Sequence, residues 1–235
     1  MSRRTRWLGA GLVTVVVLAA GGYYVFARQS AGGPAPVSLG SDPISLGSGT
    51  SGASSNTTGD ASGTWTLEGS QSFVGYRVRE KLGFLPAPSD AVGRTSAVTG
   101  TMTVAGKSVT SVKISADLTQ LKSNEARRDQ HLQTMGLETN TIPTATFSLT
   151  SPITFAQKPA QGAVVKESAT GDFTLHGVTK QITIPIQARW DGSTIEIVSS
   201  FPVQFSDYSI QAPSIGGFVS VQDNGTVELK LVFTK

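Results

Sequence analysis

No cysteine occurs anywhere in the 235 residues. Disulfide frameworks, thiolate zinc sites and cysteine nucleophiles are therefore excluded. Histidine is almost as scarce, with only His131 and His176. Two ligands so far apart in sequence, with no evident third, make no metal site. There is no Gly-x-Ser-x-Gly, and no serine is set apart by its neighbours. Asp129, Asp172 and Asp207 each sit in a turn or helix context of their own, so no acid–base pair can be placed. The expectation is a protein that is not an enzyme and carries no metal and no cofactor.

Charge of one sign is also missing where it would matter. Arg3, Arg4, Arg6 and Arg28 flank the N-terminal apolar run and supply four charges to the net +3. Asp42 and Asp60 remove two, which leaves +1 for Thr64 to Lys235. A nearly neutral domain has no electrostatic footprint for nucleic acid, whatever the whole-chain pI.

Trp7 to Phe26 contains no charged residue. Twenty residues of helix span about 30 Å, the thickness of a bilayer core. Residues 1–28 are predicted to form a single transmembrane anchor. Three arginines precede the run and only Arg28 closely follows. That bias keeps the N-terminus in the cytoplasm and sends the remainder out of it. The alternative is a cleaved export signal, which would leave the domain secreted, but signal cores run about 7–15 residues and this one is longer. Residues 29–63 are rich in Gly, Ser, Ala, Pro and Thr and predict a disordered linker, because they cannot bury enough apolar surface to fold. The coil from Ala27 to Gly63, about 37 residues, has an r.m.s. span of roughly 35 Å.

From Thr64 onward, period-two alternation dominates. Ile182, Ile184, Ile186, Ala188 and Trp190 share one strand face, with Thr183, Gln187 and Arg189 opposite. Val112, Ile114, Ala116 and Leu118 repeat the pattern. So do Phe201, Val203 and Phe205, and again Val227, Leu229, Leu231 and Phe233, with Glu228 and Lys230 facing away. Gly171 to Ile186 reads as a hairpin, with strand-like runs Asp172–Leu175 and Gln181–Ile186 around a polar, Gly-containing turn. Asn224-Gly225 lies between two strand-like runs, a strong short-range hairpin signal. Pro185 inside a strand implies an edge, a bulge or a shifted boundary. One helix is expected, from about Asn124 to Met135, capped by Ser123 or Asn124 and ended by Gly136. Its apolar face is thin: Ala126, Leu132 and Met135. Many strands with one helix indicate an all-β sandwich or closed barrel, and periodicity does not choose between them.

A set of short motifs does choose. They run in order: Trp65-Thr-Leu, Ser72-Phe-Val-Gly-Tyr-Arg-Val, Val98-Thr-Gly-Thr-Met-Thr-Val, Asp117-Leu118, Arg128-Asp129-Gln-His131-Leu132, Pro143-Thr-Ala-Thr-Phe147, Gly171 to Lys180 and Asp207-Tyr-Ser-Ile210. In that order and spacing, residues 64–235 resemble the YceI-like family of polyisoprenoid-binding, lipocalin-like barrels, in a membrane-anchored actinobacterial form. Ser209 stands where the family usually has Gly. Leu82 to Asp90 departs from the common pattern and is placed to reshape one mouth.

The resemblance implies an extended antiparallel eight-stranded barrel around a hydrophobic tunnel. It further implies an isoprenoid tail inside, from a quinone such as menaquinone or from a polyprenyl phosphate. The expected function is non-enzymatic binding of that lipid, as carrier or store at the outer face of the cell membrane, with a homodimer as one possible state. Such a tail offers only burial energy, roughly 25 cal/mol per Å². Bulky apolar residues are therefore the lining candidates: Phe73, Phe84, Met102, Phe147, Phe155 and Phe173, then Leu175, Ile184, Trp190, Phe205 and Phe218. Tyr76 and Tyr208 can hydrogen-bond a carbonyl or head group. Arg127 and Arg128 are the head-group candidates, since guanidinium suits phosphate. The competing reading makes them a solvated helix face paired with Glu125 or Asp129. The competing function is a surface interaction module whose barrel is filled by its own side chains.

Overall fold

The computed structural model describes residues 34–39, 60–82, 88–212, 214–215 and 219–235. The expected anchor over 1–28 lies outside them, as do Phe84 and Phe218. Among the described residues no helix is long and apolar enough to cross a membrane.

The strands are β1 (Gly63–Leu67), β2 (Phe73–Leu82), β3 (Ser89–Thr95), β4 (Val98–Ala105), β5 (Ser108–Asp117), β6 (Lys122–Ser123) and β7 (Thr144–Leu149). They continue with β8 (Ile153–Thr154), β9 (Val164–Leu175), β10 (Val178–Trp190), β11 (Thr194–Gln204), β12 (Ser214–Ile215), β13 (Val219–Val221) and β14 (Asn224–Thr234). The helix α1 (Ala126–Thr134) lies between β6 and β7.

These segments occupy eight positions around a closed antiparallel barrel. β1 and β2 are two halves of one position: both pair with β14, β1 through Leu67↔Phe233 and β2 through Phe73↔Lys230. β4 and β3 share the next position, against β1 and β2 respectively. β5 and β6 share the third, against β4 and β3. β7 and β8 both pair with β5. β9, β10 and β11 follow, and β11 pairs with β14, which returns to β1 and closes the ring. Each position is hydrogen-bonded to its sequence neighbours, so the chain is an up-and-down meander. The ring is closed, although β10 and β11 pair only from Gln187↔Val198 to Trp190↔Ile195.

The breaks inside a position are locally satisfied. At the β1–β2 break the chain makes a 3-10 turn, Gly69–Gln71. Ser72, 2% exposed, donates its hydroxyl to the Glu68 carbonyl at 2.7 Å and accepts the Val232 amide at 2.9 Å. The hydroxyl thus takes the place of the ladder partner that the turn removes.

The β9–β10 hairpin is longer than the sequence suggests. Its ladder runs from Leu175↔Val178 to Val164↔Arg189, and only His176 and Gly177 remain in the turn, at φ +51° and +74°. Two positive φ values are what a two-residue type I′ turn requires. His176 is held there by donating Nδ1–H to the Tyr208 carbonyl at 3.0 Å. Ser209, at φ +56°, sits in the left-handed conformation that explains a glycine at this place.

Two local expectations are corrected. Asn224-Gly225 is not a hairpin turn: it opens β14 and pairs with Gln204 and Val203. Glycine is needed at 225 by close approach instead, since a Cβ there would meet Val78 Cγ1 at 2.8 Å. α1 is capped by Glu125, whose Oε1 accepts the Arg127 amide at 3.2 Å, rather than by Ser123 or Asn124. Ser123 is taken by β6 and by Asp129, to which its hydroxyl donates at 2.7 Å. Pro185 fits the edge expectation. It lies beyond the last β10–β11 pair, Gln187↔Val198, and its carbonyl accepts the Ser199 hydroxyl at 2.6 Å.

Candidate functional site

The inward faces do not fill the barrel. They enclose a cavity of about 1030 Å³ that runs the length of the fold. That is the top of the range for small-molecule sites. β4 contributes Met102, β5 Val112, Ile114 and Ala116, and β10 Ile184, Ile186, Ala188 and Trp190. β11 contributes Ile195, Ile197, Phe201 and Val203, and β14 Val227, Leu229, Leu231 and Phe233. Alternation alone places these residues on one face, so the tunnel wall follows directly from the sequence pattern.

Of the lining candidates, Tyr76, Met102, Phe147, Phe155, Phe173, Leu175, Ile184, Trp190 and Phe205 do face the cavity. Phe73 does not. Val74, Tyr76, Val78 and Glu80 are the inward residues of β2, so Phe73 points outward, where the Arg94 guanidinium lies 4.2 Å from its ring centre. Tyr208 is 3% exposed but stands behind the wall, edge-on to Phe173 at 5.6 Å between ring centres. It supports a lining residue and does not itself line the cavity. Burial holds its hydroxyl pKa above the ordinary tyrosine value.

One end of the tunnel is polar. There Tyr76, Glu80, Asn124, Arg127, Arg128 and His131 join the lining beside α1. Arg128 Nη2 donates to Glu80 Oε1 at 2.6 Å, with the two side chains 19% and 8% exposed. Neither Glu125 nor Asp129 is the partner that helical spacing proposes for Arg128. Asp129 instead accepts the Ser123 amide and hydroxyl. Arg127 is exposed at the rim. Glu80 is the residue that sequence reasoning missed. The signal was present: it shares the β2 parity of Val74, Tyr76 and Val78 and so had to point inward.

The Tyr76 ring folds across β3 toward β6. Its hydroxyl is buried and has no hydrogen-bond partner. The nearby Ser123 hydroxyl is already committed, donating to Asp129 and accepting from the Glu125 amide and Arg128 Nη1, each at 3.2 Å. A hydroxyl has one proton and two lone pairs, so Ser123 has nothing left to offer. Burial pushes the Tyr76 hydroxyl far above the usual tyrosine range, so it stays a proton donor at every physiological pH. An unpaired buried donor at the wall of an apolar tunnel is available to an acceptor placed there.

The opposite end is lined by Ala61, Lys107, Lys158, Pro159 and Trp190. Lys158 is held by Asp60 at 2.9 Å, and Trp190 Nε1 is buried without a partner. Among the described residues no cluster of His, Asp and Glu could hold a metal.

The family model described as YceI-like domain matches residues 65–233. Protein YceI of Shigella flexneri is 29% identical over 153 residues, covering 61% of this chain and 73% of its own length. A UPF0312 protein of Vibrio parahaemolyticus is 28% identical over 139 residues, 55% of this chain and 70% of its own. The solved structure of a polyisoprenoid binding domain from Saccharophagus degradans superposes with a TM-score of 0.60 at 18% identity, covering 72% of this chain and 97% of that one. BcnA of Burkholderia cenocepacia superposes with a TM-score of 0.54 at 16% identity, covering 71% and 98%. At those identities the two structures speak for the shared fold alone.

Proposed function

This chain belongs to the YceI-like family, and from that premise we propose that it binds a polyisoprenoid lipid non-covalently in its barrel, with no chemical turnover. The observation that carries this reading is the open, apolar cavity of about 1030 Å³. A barrel serving only as an interaction module would fill that space with its own side chains, as protein interiors do. The name of the Saccharophagus degradans domain supplies the ligand class. The tail gains burial energy along the wall of Met102, Phe147, Phe173 and Ile184. The head stops at the polar end, where Tyr76 donates to a carbonyl, as in menaquinone, or Arg127 meets the phosphate of a polyprenyl phosphate. In this reading residues 1–28 anchor the chain, with the barrel on the outer side of the cell membrane as carrier or store.

The test is native mass spectrometry of the full chain in detergent, followed by organic extraction, beside the variant Ala145→Phe. Ala145 lines the cavity from β7 and is only half-buried, so a phenyl group has room to enter the tunnel. We expect about one isoprenoid per barrel in the native chain. The variant should fold normally and lose most of the lipid. An apo mass that persists after incubation with menaquinone and polyprenyl phosphate would end this reading.

A further inference from the structure

Pro34 to Leu39 lie against the outside of the barrel, in the middle of a stretch whose composition predicts coil. Arg77 Nη2 donates to the Pro34 carbonyl at 2.6 Å, and Arg94 Nη2 donates to the Ala35 carbonyl at 3.1 Å. Both guanidiniums are fixed from beneath. Arg77 Nε bonds Glu228 Oε1 at 2.8 Å and Arg94 Nη2 bonds Glu228 Oε2 at 3.2 Å, while Arg94 also rests on the Phe73 ring. Glu228 points away from the tunnel, yet its side chain is 2% exposed. An outward carboxylate on a barrel normally meets water. Here the same two arginines that cover it also carry the peptide.

The segment is suited to such a site. Val37 and Leu39 are half-buried, whereas Pro34, Ala35, Pro36 and Ser38 are exposed. Its two prolines restrict the free chain, so little conformational entropy is lost on docking. Attachment through the chain itself supplies a high effective concentration.

We propose that the Arg77–Arg94–Glu228 wall is a docking site for the chain's own segment 34–39, and that docking decides which end of the tunnel faces the membrane. The second half rests on the proposed anchor at 1–28. Once the segment is docked, only residues 29–33 separate it from the anchor, a reach of at most about 18 Å. Undocked, the whole linker lets the barrel wander over roughly 35 Å r.m.s.. The docking wall is not central. Arg77 neighbours Tyr76 and is three residues from Glu80, about 10 Å along β2 from the polar end. The short tether therefore holds the mouth beside α1 toward the bilayer and turns the Trp190 end away.

The absence of cysteine makes every introduced one a unique label. Two measurements on the full chain test the proposal. The first is the spin–spin distance between Ser38→Cys and Lys122→Cys, both exposed positions. It should be narrow in the native background. It should broaden severalfold when Pro34, Pro36, Val37 and Leu39 are replaced by Gly and Ser, since residues 40–59 as free coil span about 25 Å r.m.s.. An equally broad distribution in both chains overturns the docking.

The second measurement places a fluorophore on Thr134→Cys at the C-terminal end of α1, or on Lys107→Cys at the far end. The chain is reconstituted in phosphatidylglycerol–phosphatidylcholine vesicles with nitroxide-labelled head groups. Thr134 should be quenched several times more strongly than Lys107, and the Gly/Ser variant should erase the difference. Equal quenching in the native background, or failure of the chain to float with the vesicles, overturns the orientation. Neither measurement depends on whether lipid is bound, so the proposal and the lipid-binding reading fail separately.

Discussion

The Tyr76 ring lies on the backbone of Gly93, its direct partner across the β2–β3 ladder, so closely that a Cβ at 93 would stand 2.4 Å from Tyr76 Cε1. The glycine is what lets the tyrosine cross the strand and bring its hydroxyl to the polar end of the tunnel. Gly93→Ala forces the ring off this path. Overpacking of this kind costs about 1–3 kcal/mol. Urea unfolding of the variant should show a lower midpoint at unchanged m-value, and an unaltered midpoint would mean the ring was never confined.

Tyr76→Phe separates binding from stability. The hydroxyl has no partner in the ligand-free barrel, so its removal should leave the unfolding free energy equal or higher by up to about 1 kcal/mol. Affinity for a carbonyl-headed isoprenoid should fall about fivefold, the worth of one neutral hydrogen bond. A titration giving the same Kd for both chains would remove Tyr76 from the head-group site.

The Arg128–Glu80 pair should behave as a buried charge couple. Arg128→Leu leaves the Glu80 carboxylate, 8% exposed, without its cation and should cost about 2 kcal/mol. The double replacement Glu80→Leu with Arg128→Leu should recover most of that loss, because both desolvation costs vanish together. A double-mutant cycle in urea measures it, and additive losses would show that the two residues act independently.

At the far mouth, the bond from Lys158 and those from the Ser62 amide and hydroxyl hold the Asp60 pKa down, from 3.8 to about 2. A lowered carboxylate pKa contributes stability that is complete above the unfolded value and lost as pH falls through the folded one. That window lies between pH 3.8 and about 2. In Lys158→Ala the Asp60 carboxyl should titrate closer to 3.8, read from its NMR shift. A titration unmoved by the substitution would show that Ser62 alone sets the value.

The tunnel wall was legible because parity is a local property. Once Val112, Ile114 and Ala116 alternate with polar residues, their common face is fixed whatever the topology. Closure and the family were legible only through the order of many weak motifs. What stayed hidden depended on non-local contacts. Phe73 looks like a core residue until parity is counted from Tyr76, and its outward face is made acceptable by Arg94, which is 21 positions away. Arg128 has plausible partners on its own helix, yet a β2 carboxylate 48 positions away takes it. Asn224-Gly225 has hairpin composition, but the cause of the glycine is Val78 across the ladder rather than a turn. The contacts of Pro34 and Ala35 could not be read from a segment whose composition resembles that of its surroundings.

The meander joins its first and last strands, with Thr66 opposite Thr234 and Lys235 donating to the Ser62 carbonyl. Every other wall contact of the ring can form as the chain grows. The seam cannot. Until β14 has been synthesised, the partial sheet has one side open along its length, and the inward faces of Ile184, Phe201 and Val203 have no opposite wall. An enclosed interior therefore comes into existence in one step, when β14 joins β11 to β1. Under the proposed function, loading waits for β14, and a chain lacking β14 should expose an open apolar sheet rather than form a smaller barrel.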